Sequence, residues 1–100
     1  MRRFVLTAAA EQDLFDLWDY LAQDDFDAAD RVTNEISRAI ERLVEMPGMG
    51  HVRNDLADEL IRFWPVRSYL IIYRPESAPL EILRIVSGYR DVAALLDQVE

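Results

Sequence analysis

"LIRFWPVRSYLIIYRPESAPLEILRIV", residues 60–86, decides the fold. From Ala8 to Val44 apolar residues recur at three- and four-residue spacing. In 60–86 the period falls toward two, and β-branched and aromatic side chains dominate. Pro65 has no N–H to give a ladder, so it either splits the first run into two strands or marks an edge or a bulge. "PESAP" (75–79) is a turn, and "LEILRIV" follows at once, so a hairpin is expected there. Strict alternation in that last run puts Leu80, Ile82, Arg84 and Val86 on one face and Glu81, Leu83 and Ile85 on the other. Apolar residues on both faces predict a central strand with both sides covered.

Upstream, "RRFVLT" reads as a short strand and Thr7 as a helix N-cap. Leu14, Leu17, Trp18 and Leu21 form one face of the helix that starts at Ala8. Asp13, Asp16, Asp19 and Gln23 fall away from that face, and Phe15 sits at its margin. "AQDDFD" breaks the pattern, with Asp24, Asp25 and Asp27 as possible caps for a second helix. That helix buries a stripe of Ala28, Val32, Ile36, Ala39, Ile40, Leu43 and Val44. Asp30, Arg31, Asn34, Arg38, Glu41, Arg42 and Glu45 make a solvated face. "MPGMG" ends it: Pro47 cannot continue the helix, and Gly48 and Gly50 offer positive φ. At the other end, Val92, Leu95, Leu96 and Val99 fit a short terminal helix. The predicted order is β-α-α-β-β-β-α in one domain spanning 1–100. The class is α+β, with a two-helix hairpin packed on a mostly antiparallel sheet and a short C-terminal helix.

Composition narrows the function. The chain has 100 residues, net charge -8 and no cysteine. One domain with a modest core follows from the length. Disulfides and thiolate metal sites are excluded. No apolar run reaches the roughly 20 residues that span a bilayer, and no signal pattern follows Arg2-Arg3, so a cytoplasmic location is expected. The negative field opposes nonspecific nucleic-acid binding. It is uneven: residues 1–50 carry five arginines against eleven acids, while 61–74 hold Arg62, Arg67 and Arg74 and no acid. All eleven basic residues are arginine, so no lysine can serve as a Schiff base or phosphate anchor. His51, the only histidine, reads as an exposed loop residue without the further ligands a metal needs. No P-loop or nucleophile elbow is present, and no cofactor is expected.

The order of pieces resembles the ParE/RelE toxin superfamily of type II toxin–antitoxin systems, on its ParE branch. The resemblance rests on "FVLTAAAEQDLFDLWDYLA", on "AADRVTNEISRAIERLVEMPGMG" with its Leu-x-x-x-Pro-x-x-Gly ending from Leu43 to Gly50, on "VRSYLIIYR", and on "ILRIVSGYRD". It implies a small toxin neutralised by a ParD-like antitoxin in a hetero-oligomer. ParE members inhibit DNA gyrase, whereas RelE members cleave mRNA on the ribosome. For RelE-type cleavage the resemblance asks for arginines, lysines and a late tyrosine. Arg90 matches one arginine; the second falls at Leu70, the tyrosine falls at Leu96, and lysine is absent. Binding without catalysis is therefore expected, with DNA gyrase as the target that the resemblance implies. A RelE-like mRNA endonuclease and a non-toxic binding protein of the same fold stand as alternatives.

Candidate residues for antitoxin or target contact are Arg62, Arg67, Tyr69, Arg84, Arg90, Phe15 and Trp64. Each has a plain structural alternative. Arg84 can pair with an acid of either helix, Arg90 can pair with Asp91, and Asp91 can cap the terminal helix. Trp18, Phe26 and the other aromatics can serve the core.

Overall fold

The computed structural model describes residues 3–52 and 60–87. The expected terminal helix, Arg90 and Asp91 lie outside them. Strand β1 (Phe4–Leu6) leads into α1 (Ala8–Ala22) and α2 (Phe26–Glu45), followed by a 3-10 turn at Pro47–Met49. Strands β2 (Arg62–Val66), β3 (Tyr69–Arg74) and β4 (Leu80–Ser87) complete the order. The sheet is mixed, with order β1-β4-β3-β2. The β1–β4 pair is parallel and the other two pairs are antiparallel. β4 is thus the inner strand that its two-sided apolar pattern predicts.

Local chemistry sets the helix starts. The Thr7 hydroxyl accepts from the Ala10 N–H at 3.0 Å, and the Asp25 carboxylate accepts from Asp27 and Ala28. Of the three possible caps, Asp25 is the one used. The α2 stripe is Ala29, Val32, Ile36, Ala39, Ile40 and Leu43, all buried; Ala29 takes the place expected for Ala28, which is only partly covered. This face packs with Leu17 of α1 and with Ile71, Tyr73, Leu80, Ile82 and Ile85 of the sheet. A second cluster, Ile61, Phe63, Ile72, Leu83 and Val86, occupies the other side of the sheet.

Strict alternation fails in β4. Ile72 pairs with Arg84 but the next residue, Tyr73, pairs with Ile82, leaving Leu83 as the extra residue of a β-bulge. The bulge resets the phase. Ile85 joins Leu80 and Ile82 against the helices, while Leu83 and Val86 share the opposite cluster. Pro65 does not divide the run. It lies inside β2, an edge strand, where its missing N–H costs no ladder bond. The division falls at the two-residue turn Arg67-Ser68, and Arg67 takes the positive φ (56°) that such a tight hairpin demands.

Gly50 serves space, not backbone freedom; no glycine among the described residues has positive φ. The buried Tyr73 hydroxyl donates to the Pro47 carbonyl at 2.6 Å and accepts from the Gly50 N–H at 2.9 Å. A β-carbon on Gly50 would overlap that hydroxyl and lie 2.8 and 2.9 Å from Cε1 and Cζ of the ring. Arg62 donates to the Gly50 carbonyl at 2.8 Å. His51 then exchanges both backbone hydrogen bonds with Phe63, which fastens the end of the α2 connection to the outer edge of β2.

Two outcomes follow. Gly50→Ala should lose about 1–3 kcal/mol in urea denaturation, the usual range for overpacking. Burial pushes the Tyr73 phenol above its ordinary value, against smaller opposing effects of the Gly50 N–H and Arg62. The folded state therefore holds that proton more tightly than the unfolded chain. This contribution is complete below about pH 10, the ordinary tyrosine value, and is lost as pH rises toward the folded value. Denaturation series between pH 8 and pH 11 should show a steeper alkaline loss for the wild type than for Tyr73→Phe.

Candidate partner-binding surfaces

Arg84 occupies a demanding place. It follows the bulge in the inner strand and is 9% exposed. A buried guanidinium needs a carboxylate with matching geometry. Asp13 of α1 supplies it: Nε reaches Oδ2 at 2.7 Å and Nη2 reaches Oδ1 at 2.8 Å. The pairing raises the Arg84 pKa further above its ordinary value, chiefly through these hydrogen bonds. Asp13 also accepts the Ile85 N–H at 3.0 Å. β1 ends opposite Ile82, so the next backbone groups along that side of β4 need other partners. The Thr7 hydroxyl donates to the Leu83 carbonyl at 2.7 Å, and Asp13 takes Ile85. The first turns of α1 continue, with side chains, the ladder that β1 leaves off.

The other sequence-derived candidates separate into different surfaces. Phe15, 61% exposed, lines an apolar groove with Leu6, Leu14 and Trp18, between α1, the end of β1 and Thr33 of α2. Phe26, 67% exposed, stands 5.9 Å from the Trp18 ring, whose indole N–H donates to Asp30 at 3.0 Å. Trp18 is thus neither fully core nor fully free. Tyr69 lies in a more polar hollow with Asp13, Asp16 and Tyr20. Trp64 belongs to a third cleft, between α2 and β2, with Arg38, Arg42, Pro65 and Val66. The His51 ring, exposed as expected, stacks on Trp64 at 6.0 Å and 11°.

Three of the candidate arginines are already engaged. Arg67 holds Glu35 of α2 with two bonds of 2.6 and 2.8 Å, Arg62 holds the Gly50 carbonyl, and Arg84 holds Asp13. Glu35 is drawn below the usual carboxylate range, first by the Arg67 hydrogen bond. Arg74, which is not among the contact candidates, pairs with Glu81 across β3 and β4 at 2.9 Å. No group of three His, Cys, Asp or Glu able to hold a metal ion occurs among the described residues, and none of their helices is long and apolar enough to cross a membrane.

Helical periodicity misplaced Asp13. It falls off the apolar face, yet it is largely covered because Arg84 rises to meet it. The signal was the lone arginine inside an apolar strand, which requires a buried acid somewhere. Asp13→Asn should cost about 3–5 kcal/mol, since it leaves a buried guanidinium without its counter-charge. Asp13→Leu combined with Arg84→Met should recover most of that loss in a thermodynamic double-mutant cycle.

No curated protein matches the sequence. Among solved structures, the chain is similar to one described as the chromosomal ParDE TA system from P. aeruginosa. The TM-score is 0.69 at 20% identity, covering 87% of this chain and 96% of that one. At that identity the likeness establishes the fold. The sequence itself matches the family model described as ParE toxin of type II toxin-antitoxin system, parDE, over residues 4–92. That span takes in the whole of the described sheet and both helices, and the chain belongs to the ParE toxin family of type II toxin–antitoxin systems.

Proposed function

We propose that this ParE-family toxin acts by binding DNA gyrase and that a ParD-like antitoxin neutralises it by covering the groove between α1 and α2. The observation that carries the binding reading is the groove itself. Leu14, Phe15 and Trp18 present apolar anchors at helical spacing on α1, and Phe26 stands exposed beside Trp18 at the start of α2. An amphipathic segment laying its apolar face there would gain burial that the isolated chain lacks. Support for gyrase is family membership alone.

Candidate contact residues remain Phe15, Trp64, Tyr69, Arg62, Arg67 and Arg84, with Arg90 beyond the described residues. Their present engagements set what each can offer. Arg84 is committed to Asp13 and supports the scaffold. Arg67 is half exposed and bound to Glu35, so a partner carboxylate could compete for it at modest cost. Against RNA cleavage stand Leu70 and Leu96 at positions where the RelE pattern has an arginine and a tyrosine, and a chain without lysine.

Induced expression without the antitoxin should give filamentous, DNA-damage-induced cells, and the purified chain should block supercoiling by gyrase. Co-expression of a co-encoded antitoxin should restore growth. Codon-specific mRNA cuts in a translating extract would replace this reading with the nuclease, and unchanged growth would remove the toxin claim altogether. Phe15→Asp should weaken antitoxin capture at least tenfold while leaving the melting temperature within a few degrees of wild type.

A further inference from the structure

The cleft between α2 and β2 has a different character from the apolar groove. It encloses about 490 Å³ and is walled by Arg38 and Arg42 on one side and by Trp64, Pro65 and Val66 on the other. Arg38 and Arg42 are one helical turn apart, both exposed. Neither guanidinium makes a hydrogen bond to, or an ion pair with, any described residue. The one carboxylate in the wall, Glu35, gives both oxygens to Arg67 and feels Arg38 only through space, so neither cleft guanidinium is hydrogen-bonded to it. In a chain of net charge -8 this is a local reversal of sign.

Its apolar wall is fixed. Trp64 and Val66 pack against the main core, Pro65 has a constrained backbone, and the His51 ring stacks on the indole. Paired arginines beside a rigid aromatic surface match an acidic peptide that carries one bulky apolar side chain. The carboxylates would meet the guanidiniums, and the apolar side chain would lie between Trp64 and Pro65.

We propose that this cleft is the surface that meets the toxin's target, and that the occupant is an acidic, aromatic-anchored segment of that target protein rather than of the antitoxin. The proposal rests on the reading of the chain as a toxin that acts by binding. The two surfaces differ as lasting and transient interfaces do. The apolar groove suits a lasting partner that must bury Phe15 and Phe26. The charged, open cleft suits a partner met in solution through salt-sensitive contacts. The net negative charge does not forbid this. At about 0.1 M salt the screening length is ~10 Å, so the two adjacent guanidiniums dominate over distant acids.

The test uses the full chain and a fluorescein-labelled peptide of alternating Asp and Glu around a central Phe. Fluorescence anisotropy at about 0.1 M salt should show binding that weakens at least tenfold in the Arg38→Glu/Arg42→Glu variant and at about 0.5 M salt. Arg31→Glu, on the same helix but outside the cleft wall, should stay within about twofold of wild type. Equal losses in both variants, or no binding to wild type, overturn the proposal. In cells, the double variant should lose growth arrest yet still co-purify with the antitoxin and melt like wild type. If antitoxin capture falls in step with peptide binding, the cleft belongs to the antitoxin and the assignment to the target is wrong. If the wild-type chain causes no arrest, the toxin reading fails, and the peptide measurement then decides against or for the acidic-segment site by itself.

Discussion

The contact between Asp13 and Arg84 joins the two halves of the molecule. It ties the first helix to the inner strand at the one point where that strand departs from regular pleating. The bulge at Leu83 shifts the phase of β4, and the shift lets Leu80, Ile82 and Ile85 all face the helices. Without it, one of the three would leave the main core. Arg84, next to the bulge, is almost fully covered, and a charge under that much cover must be met by its opposite. Asp13 meets it with both oxygens and spends a further lone pair on the Ile85 N–H. Helix position, strand register and charge balance are therefore one constraint, not three.

Much of this architecture can be read from residue pattern, because the pattern is local. Thr7 and Asp25 cap their helices through side-chain oxygens that accept from N–H groups two or three residues further on. The change of period at residue 60 marks the meander, and the apolar faces of 80–86 mark an inner strand. The features that escape are those fixed by contacts distant in sequence. Nothing near Leu83 announces a bulge, and nothing near Asp13 announces a partner 71 residues away. Gly50 looks like a backbone device until Tyr73 is seen to need its missing side chain. On the functional side, Phe15 at the margin of the helical stripe was legible as a surface aromatic. Arg38 and Arg42 looked like an ordinary solvated face, since helical periodicity cannot show that Trp64 stands opposite them.

Charge and apolarity are distributed for different ends. The acids that give the chain its net sign crowd the front half, where they cap, solvate and, at Asp13, counter a buried cation. Four arginines of the back half are engaged by the fold's own acceptors. Among the described residues, the open surfaces include an apolar groove on the helical hairpin and a basic cleft at the far edge of the sheet. A small protein that must be held by one partner and released to engage another gains from keeping those surfaces apart, because each can be altered without disturbing the other.

The bridge from His51 to Phe63 also limits how copies of the chain can meet. Along the outer side of β2, Phe63 has both backbone groups occupied, and two residues further on Pro65 has no N–H to offer. That border of the sheet cannot accept a neighbouring strand in register. Among the described residues this leaves β1 as the open border, three residues long. Growth of sheets into filaments requires two receptive borders on every molecule, one to join the previous copy and one to join the next. Where the described strands offer a single receptive border, pairing through it alone would close after two molecules about a twofold axis.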